Sequence, residues 1–273
     1  MMVIRVFPRH TNFIPDDELA FVGLPPLFRP QEQMPVRISC TFTWDKPIVE
    51  RLKQEWSMYY EDVDVGGPAY NDEGGEFTPG LFMRKGVTIT SRGCNKKCKW
   101  CFVPKREGGL RELSIKDGWI VQDNNLLQCS DKHIREVFDM LKRQPKPIEF
   151  KGGFDATIFK EWHRYLLDEL RLKTVWFACD TPSSIKPLER VSRILDGISM
   201  NKRFCFVLIA FDNETLLQAE KRLETVYNLG FLPFAQLYQT EQKRLYSKAW
   251  KQLARKWSRP AAFKAYMKGI ECN

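Results

Sequence analysis

Apolar residues follow two spacings in this chain, and each predicts a type of element. At residues 2–7 and 36–43 they form short runs typical of strands, and at residues 47–58 they recur as on one face of a helix. After Gly86, short apolar runs alternate with stretches of helical spacing. The strands predicted in this second series cover residues 87–90, 119–122, 147–150, 174–179, 203–211 and 231–238, and the helices cover residues 132–143, 158–170, 187–195 and 214–229.

Strands that lead into helices predict a parallel β-sheet. The apolar runs contain few polar residues, so we expect them to be buried on both faces, as in α/β proteins. Six strand units in about 150 residues are fewer than the eight of a complete barrel. The predicted fold class is therefore α/β: a partial (β/α)6 TIM-like barrel with a small N-terminal α/β extension and a C-terminal basic helical segment.

Glycine marks the predicted domain boundary. Residues 66–86 contain six glycines and two prolines, a density typical of a loop between units. We therefore predict three segments. They are an N-terminal α/β extension with a glycine-rich linker at 1–83, a core barrel at 84–240 and basic helices at 241–273.

Composition favours a globular protein of a reducing compartment. Of the 273 residues, 43% are hydrophobic and 28% are charged, which is enough to bury a core and excludes a disordered tail. No run approaches the roughly 18 apolar residues that cross a membrane, and no secretory signal is evident, so we expect a cytoplasmic protein with no membrane partner. Eight cysteines are too sparse for a disulfide scaffold and fit one metal site.

Positive charge is concentrated near the C-terminal end. The formal net charge is +9, and residues 241–273 contribute +7 of it through nine basic and two acidic residues. This block predicts an anionic partner, with nucleic acid as the first candidate, and it equally fits a solvated helix face. Ser258 and Pro260 predict the start of a final helix, and Gly269 predicts its end. An apolar, mainly aromatic stripe in this segment is more typical of core packing than of a stacking platform: Tyr246, Trp250, Leu253 and Trp257.

Three cysteines follow the strand predicted at 87–90. Cys94, Cys98 and Cys101 have the spacing Cys-x3-Cys-x2-Cys. Structural zinc takes four protein ligands, usually as two separated pairs, but this chain has no second pair and its three histidines are distant in sequence. Ordinary ferredoxin clusters use four cysteines in other spacings. Three cysteines suit a 4Fe-4S cluster whose fourth iron has no protein ligand and can bind a substrate or cofactor.

The loop sequence TSRGCNKKCKWCFVPKREGG resembles the signature of the radical S-adenosylmethionine (SAM) superfamily, Cys-x3-Cys-x-aromatic-Cys. The resemblance covers residues 84–240 and implies that the open iron chelates the amino and carboxylate groups of SAM. An electron from the cluster would then break the C5′–S bond, and the 5′-deoxyadenosyl radical would take a hydrogen atom from a substrate. No catalytic residue is implied. The implied cluster ligands are Cys94, Cys98 and Cys101, with Trp100 and the backbone of Phe102 near the adenine.

The second strand of the core departs from the family pattern. Relatives usually end this strand in Gly-Gly-Glu, which contacts the amino group of SAM. This chain has Asp123, Asn124 and Asn125 instead, which resembles variants in the methylthiotransferase-like and cobalamin-type branches.

Further SAM contacts are implied after the third and fourth strands. The candidates for the carboxylate and ribose of SAM are Lys151, Asp155, Asp180 and Thr181. Asp155 and Asp180 equally fit helix caps, because aspartate is favoured just before a helix. All follow the carboxyl ends of predicted strands, where parallel sheets bind ligands.

The likeness to cobalamin-type relatives is partial. Residues 36–70 look like a reduced version of the segment that precedes the core in those proteins. Cobalamin is not predicted, because a complete cobalamin domain needs far more chain and the Asp-x-His-x-x-Gly motif is missing around His10. Cys272 is placed like the methyl-carrying cysteine of some radical SAM methyltransferases, although a terminal thiol with no role is the more common case.

Basic residues crowd the cysteine loop: Lys96, Lys97, Lys99, Lys105 and Arg106. They predict support of an anionic cluster and docking of an acidic, low-potential electron donor such as a flavodoxin or ferredoxin, although a solvated loop is the more frequent role of lysines. The function expected overall is a radical SAM enzyme that modifies a macromolecule, nucleic acid before peptide. Two alternatives stay open: a radical SAM enzyme for a peptide or small molecule, and a non-catalytic, metal-stabilised nucleic-acid-binding protein.

Overall fold

The computed structural model of this chain describes residues 2–271 and divides into two compact units, one ending at Gly118 and the other beginning at Trp119. Residues 84–118, which the sequence analysis groups with the barrel, belong to the first unit, and the predicted three-segment division stays a prediction. Cys272 lies outside the described residues. Within them, no helix has both the length and the apolar character needed to span a membrane.

The first unit contains a four-stranded parallel sheet. Its strands, in the spatial order β2-β1-β3-β4, are β1 (Ile4–Phe7), β2 (Ala20–Val22), β3 (Val36–Ser39) and β4 (Val63–Gly66). Helix α1 (Lys46–Ser57) packs Trp56 into the same core as Ile4 and Ile38. β-Branched residues dominate β1 and β3 because they suit a buried, pleated surface.

Both strands and the helix predicted before residue 60 are confirmed, with both strands shortened: β1 begins at Ile4 and not at residue 2. β3 ends at Ser39, earlier than predicted, because the chain turns into a 3-10 helix at Thr43–Asp45 that leads into α1. The apolar spacing does not predict β2 or β4. They have only three and four residues, and β4 (VDVG) contains aspartate and glycine, so pairing with neighbours forms them rather than their own hydrophobicity.

The rest of the first unit carries the cysteine loop. Its elements are β5 (Val87–Thr88), β6 (Ser91–Arg92), α2 (Val103–Arg106) and β7 (Arg111–Glu112). β6 and β7 pair in antiparallel fashion. The strand predicted at 87–90 is confirmed in its first half.

The second unit is built on parallel strands that alternate with helices. Its strands, in the spatial order β12-β11-β10-β9-β8, are β8 (Ile120–Val121), β9 (Ile148–Phe150), β10 (Leu172–Ala178), β11 (Arg203–Ile209) and β12 (Leu232–Leu237). Its helices are α3 (Asp131–Lys142), α4 (Glu161–Asp168), α5 (Ile185–Ile194), α6 (Leu216–Asn228), α7 (Lys248–Trp257) and α8 (Pro260–Glu271). Every strand and helix predicted for this region is present. The parallel α/β class is therefore confirmed, and closure into a partial barrel stays a prediction.

Burial on both faces is confirmed along β10, where residues 174–177 are all buried, but the prediction is wrong for β11. Along β11, one face is fully buried through Cys205, Val207 and Ile209, whereas the alternate residues are half-buried. The half-buried face is aromatic: Trp176 stacks between Phe204 (ring centroids 4.5 Å apart) and Phe206 (4.3 Å). Large rings shield one another from water along their flat faces, so an unbroken apolar run does not require full coverage of both faces.

The C-terminal helices follow the prediction except at their end. Leu253 and Trp257 on α7 are buried, as expected for core packing. α8 begins at Pro260, as predicted, but it continues past Gly269 to Glu271. The predicted end at Gly269 is wrong because one glycine inside a helix costs only about 1 kcal/mol and does not by itself stop it.

Candidate functional site

The three cysteines lie on a loop that is tied at its base. The two-residue ladder of β6 and β7 joins the two ends of the loop. Next to the ladder, the Cys94 amide donates a hydrogen bond to the Gly108 carbonyl (3.2 Å), and the Leu110 amide donates one to the Asn95 side-chain oxygen (3.0 Å). These bonds fix where the first cysteine leaves the sheet.

Gly93 makes this closure possible. Its φ of +77° lies in the left-handed region, which costs an L-residue about 1–2 kcal/mol and glycine little. A Cβ at this position would lie 2.1 Å from the carbonyl oxygen of Gly109 and 2.8 Å from that of Gly108. Any other residue at position 93 would push the two ends of the loop apart.

Charged side chains stabilise the loop through an ion pair and hydrogen bonds to backbone carbonyls. Arg92 forms an ion pair with Glu107 (3.5 Å), and both side chains are largely buried. The guanidinium of Arg111 donates hydrogen bonds to the carbonyls of Glu73 (2.7 Å) and Glu107 (3.3 Å). The backbone beside the cysteines is therefore held by charge-assisted hydrogen bonds, which are stronger than neutral ones.

The donor chemistry of the loop fits an iron–sulfur cluster. Cys94 and Cys98 are half-buried and Cys101 is exposed, and all three are reduced. The Lys96 amide donates a hydrogen bond to the Cys94 sulfur (3.4 Å), a type of contact that tunes cluster sulfurs, and a turn links the Cys101 amide to the Cys98 carbonyl (3.1 Å). Among the described side chains, no three His, Cys, Asp or Glu residues are grouped closely enough to hold a metal ion.

The cysteines outside the loop are poorer candidates for ligands. Cys40, Cys129, Cys179 and Cys205 are all buried. Burial raises the pKa of the Cys40 thiol to about 11 and that of Cys179 to about 12, and it raises the pKa of Cys205 well above its usual value. Because metals bind the thiolate, a thiol that resists ionisation is a weak ligand. These four cysteines act as small apolar side chains of the core.

The residues implied to lie near the adenine flank Cys101. Trp100 is half-buried, and Phe102 is half-buried at the start of α2. The guanidinium of Arg106 stacks over the Phe102 ring at 4.6 Å from the centroid. Lys97, Lys99 and Lys105 are exposed, so the loop presents a cationic surface.

The second unit groups several predicted residues at the carboxyl ends of β8 and β9. Asp123 and Asn125 are buried, at 2% and 5% exposure, and Asn124 is half-buried. Gly152 presses against the same strand end, because a Cβ on it would lie 1.8 Å from the Asp123 carbonyl oxygen. A shallow depression lies there, lined by Val121, Asp123, Leu126, Phe150, Gly152 and Phe154.

Lys151 lies at the end of β9 in a small charge cluster. Its ammonium group is 3.2 Å from Glu149, whose carboxylate also binds Lys173 (2.8 Å), and 5.3 Å from the centre of the Trp176 ring. Burial alone would raise the pKa of Glu149, but hydrogen bonds from the two lysines outweigh it and lower that pKa. A cation and a carboxylate thus lie beside the aromatic face of the sheet.

Of the remaining predicted residues, Asp155 and Thr181 make contacts within their own turns, and Asp180 contacts the neighbouring strand. The Asp155 carboxylate accepts hydrogen bonds from the Thr157 amide (3.0 Å) and hydroxyl (2.7 Å). The Asp180 carboxylate accepts one from the Leu208 amide on β11 (3.3 Å). The Thr181 hydroxyl bonds to that of Ser184 (3.1 Å), where α5 begins. Each contact is of the kind that orders a loop or helix start.

One buried ion pair at the end of β11 was not predicted from the sequence. The carboxylate of Glu214 lies 2.6 Å from the guanidinium of Arg222, and both side chains are more than 90% buried. Glu214 also accepts a hydrogen bond from the Ala210 amide (3.0 Å), where φ is +64°. Glu214 and Arg222 are eight residues apart, and no local pattern marks such a pair.

Comparison with known proteins assigns this chain to no family. No protein-family model matches the chain, and no curated protein matches it either.

Proposed function

We propose that this chain is a radical SAM enzyme in which Cys94, Cys98 and Cys101 hold a 4Fe-4S cluster that cleaves SAM reductively to a 5′-deoxyadenosyl radical. The cysteine loop carries the proposal. Its three reduced, accessible thiols have the Cys-x3-Cys-x2-Cys spacing, while the other described cysteines are buried in the core.

The loop supplies what a cluster with one open iron requires of a protein. It offers three soft donors, an amide hydrogen bond to the Cys94 sulfur and a surrounding excess of positive charge that stabilises an anionic cluster. Since the thiols are not grouped in the described structure, binding requires their side chains to turn toward one another. Partly exposed side chains change rotamer readily, and the tied base of the loop keeps the backbone in place.

The chain's own residues would bind and orient SAM. Asp123 and Lys151, as an anion and a cation at neighbouring strand ends, complement the amino and carboxylate groups of SAM. Asn124, Asn125, Asp155, Asp180 and Thr181 are the further proposed contacts, and Trp100 and Phe102 are proposed to lie along the adenine. The bound cluster supplies the electron and the open coordination position.

We further propose that the substrate is a macromolecule, with nucleic acid favoured over peptide. The support is the net charge of +7 that residues 241–273 carry. The exposed lysines of the cysteine loop support docking of an acidic electron donor, such as a flavodoxin or ferredoxin, on the first unit, which carries the loop.

The test is anaerobic reconstitution of the full chain with iron and sulfide. We expect a complete 4Fe-4S complement, a reduced-cluster EPR signal that changes when SAM is added, and 5′-deoxyadenosine after reduction. Cys98→Ala should lose all three. Cys40→Ala is the matched control, with the same substitution in the same unit but outside the loop, and it should keep them.

Other results would assign other functions. A colourless zinc protein, or a cluster whose EPR signal ignores SAM, would indicate a non-catalytic, metal-stabilised protein and refute the proposal. If SAM is cleaved, adding cellular RNA, DNA or a peptide fraction separates the substrate classes. Stimulation by peptide alone would reject the nucleic-acid assignment and keep the enzyme.

A further inference from the structure

Helix α7 has two chemically different faces. One face packs Leu253 and Trp257 into the core of the second unit, and Ser247 caps the helix. The opposite face is basic and exposed, and it continues beyond the helix end. It consists of Lys248, Lys251, Arg255 and Arg259, which we call the basic stripe.

The members of the stripe have no partner among the described residues, whereas two of their basic neighbours do. Lys256 pairs with Glu220, and Lys264 donates a hydrogen bond to the Asn201 side chain (2.7 Å). Within residues 2–271, the four side chains of the stripe form neither an ion pair nor a hydrogen bond. The fold therefore uses Lys256 and Lys264 for its own contacts and leaves the cations of the stripe for an external anion.

We infer that the basic stripe is a docking surface for the phosphate backbone of a nucleic acid. Three of its four residues, Lys248, Lys251 and Arg255, lie on one side of α7 and span about 10 Å of its axis, and Arg259 follows the helix end. One strand of a duplex carries a phosphate about every 3.4 Å of its axis, so the helical part of the stripe faces about three phosphates and Arg259 can contact a fourth. A row of fixed charges on a rigid helix complements such a polyanion better than it complements a small ligand.

The stripe is suited to phosphates and not to bases. Trp257 is fully buried and Trp250 half-buried on the far side of α7, so neither ring is presented beside the stripe for stacking. Lysines and arginines without interleaved aromatic rings contact the backbone, which carries no sequence information. We therefore expect binding that depends strongly on salt and little on sequence.

This inference rests on the proposed nucleic-acid substrate, and binding can be measured apart from catalysis. Fluorescence anisotropy of the full chain with two labelled duplexes of unrelated sequence, without SAM or reductant, follows affinity between 50 and 200 mM salt. Four phosphate contacts predict that the binding affinity falls about 100-fold as the salt concentration rises over this range. One remaining contact predicts a fall of about 3-fold. We expect the first value for the wild type and the second for the Lys248→Gln/Lys251→Gln/Arg255→Gln variant.

The control carries the same charge change elsewhere. Lys53→Gln/Lys132→Gln/Lys186→Gln removes three exposed lysines from other helices and should bind like the wild type. If both triple variants bind alike, or if poly-glutamate competes as well as duplex at equal charge, the stripe is not a nucleic-acid surface. If the stripe variant loses its salt dependence but the wild type fails to cleave SAM, the docking surface stands and the proposed enzyme does not.

Discussion

Replacing Gly93 by alanine tests whether close backbone approach at the base of the cysteine loop holds the loop together. The change has two costs. Alanine at φ +77° costs about 1–2 kcal/mol, and a Cβ placed 2.1 Å from a carbonyl oxygen requires a backbone shift of the kind that costs about 1–3 kcal/mol. We expect the free energy of unfolding to fall by about 2–5 kcal/mol.

Two other glycines of the same unit separate these costs. Gly23 has φ +84° but nothing within 4 Å of its Cβ position, so Gly23→Ala should show only the backbone term of about 1–2 kcal/mol. Gly75 has neither a left-handed φ nor a near neighbour, so Gly75→Ala should stay within about 1 kcal/mol of the wild type.

Chemical denaturation, followed by tryptophan fluorescence, measures the three free energies. The reasoning fails if Gly93→Ala is no less stable than Gly23→Ala, because the carbonyl of Gly109 would then not constrain position 93. Iron bound after reconstitution gives a second readout. A stable Gly93→Ala protein that binds less iron than Gly23→Ala would show that the closure also positions the cysteines.

Two further predictions concern buried charge. Arg222→Met leaves the Glu214 carboxylate buried without its partner, so the free energy of unfolding measured by denaturation should fall by about 3–5 kcal/mol. Adding Glu214→Gln should recover part of this loss. Equal stability of the single and double variants would contradict the pairing. Burial lowers the pKa of His163 to about 4, so the unfolded chain binds the extra proton and stability falls as the pH drops from about 6.5 to about 4. His163→Gln keeps a side chain that can accept the Lys160 amide hydrogen bond, and it should flatten the profile of melting temperature against pH between about pH 4 and 6.5. An unchanged slope would show that other groups cause the pH dependence.

Sequence reasoning succeeded where the deciding residues are neighbours in the chain. The strands and helices of the second unit and the buried face of α7 follow from spacings that repeat within a few residues. The proposed cluster ligands are likewise within eight consecutive positions, so their grouping on one loop needed no knowledge of the fold.

Some elements depend on distant partners, and local spacing misses them. β2 and β4 exist because β1 and β3 offer backbone hydrogen bonds; β2 has too few residues to predict a strand, and β4 contains aspartate and glycine. Gly269 fits a helix end by local rules, but α8 continues through it. Gly93 and Gly152 read as ordinary loop glycines, although each lies against a backbone carbonyl from another segment.

The sequence by itself determined the alternation of strands and helices, the position of the thiols and the excess of basic residues near the C-terminal end, because each depends on the order of residues alone. Only the tertiary structure decided which cations have partners, which face of β11 stays half-buried and which cysteines are buried. Those properties depend on what packs against a side chain, and packing brings together residues that the chain keeps far apart.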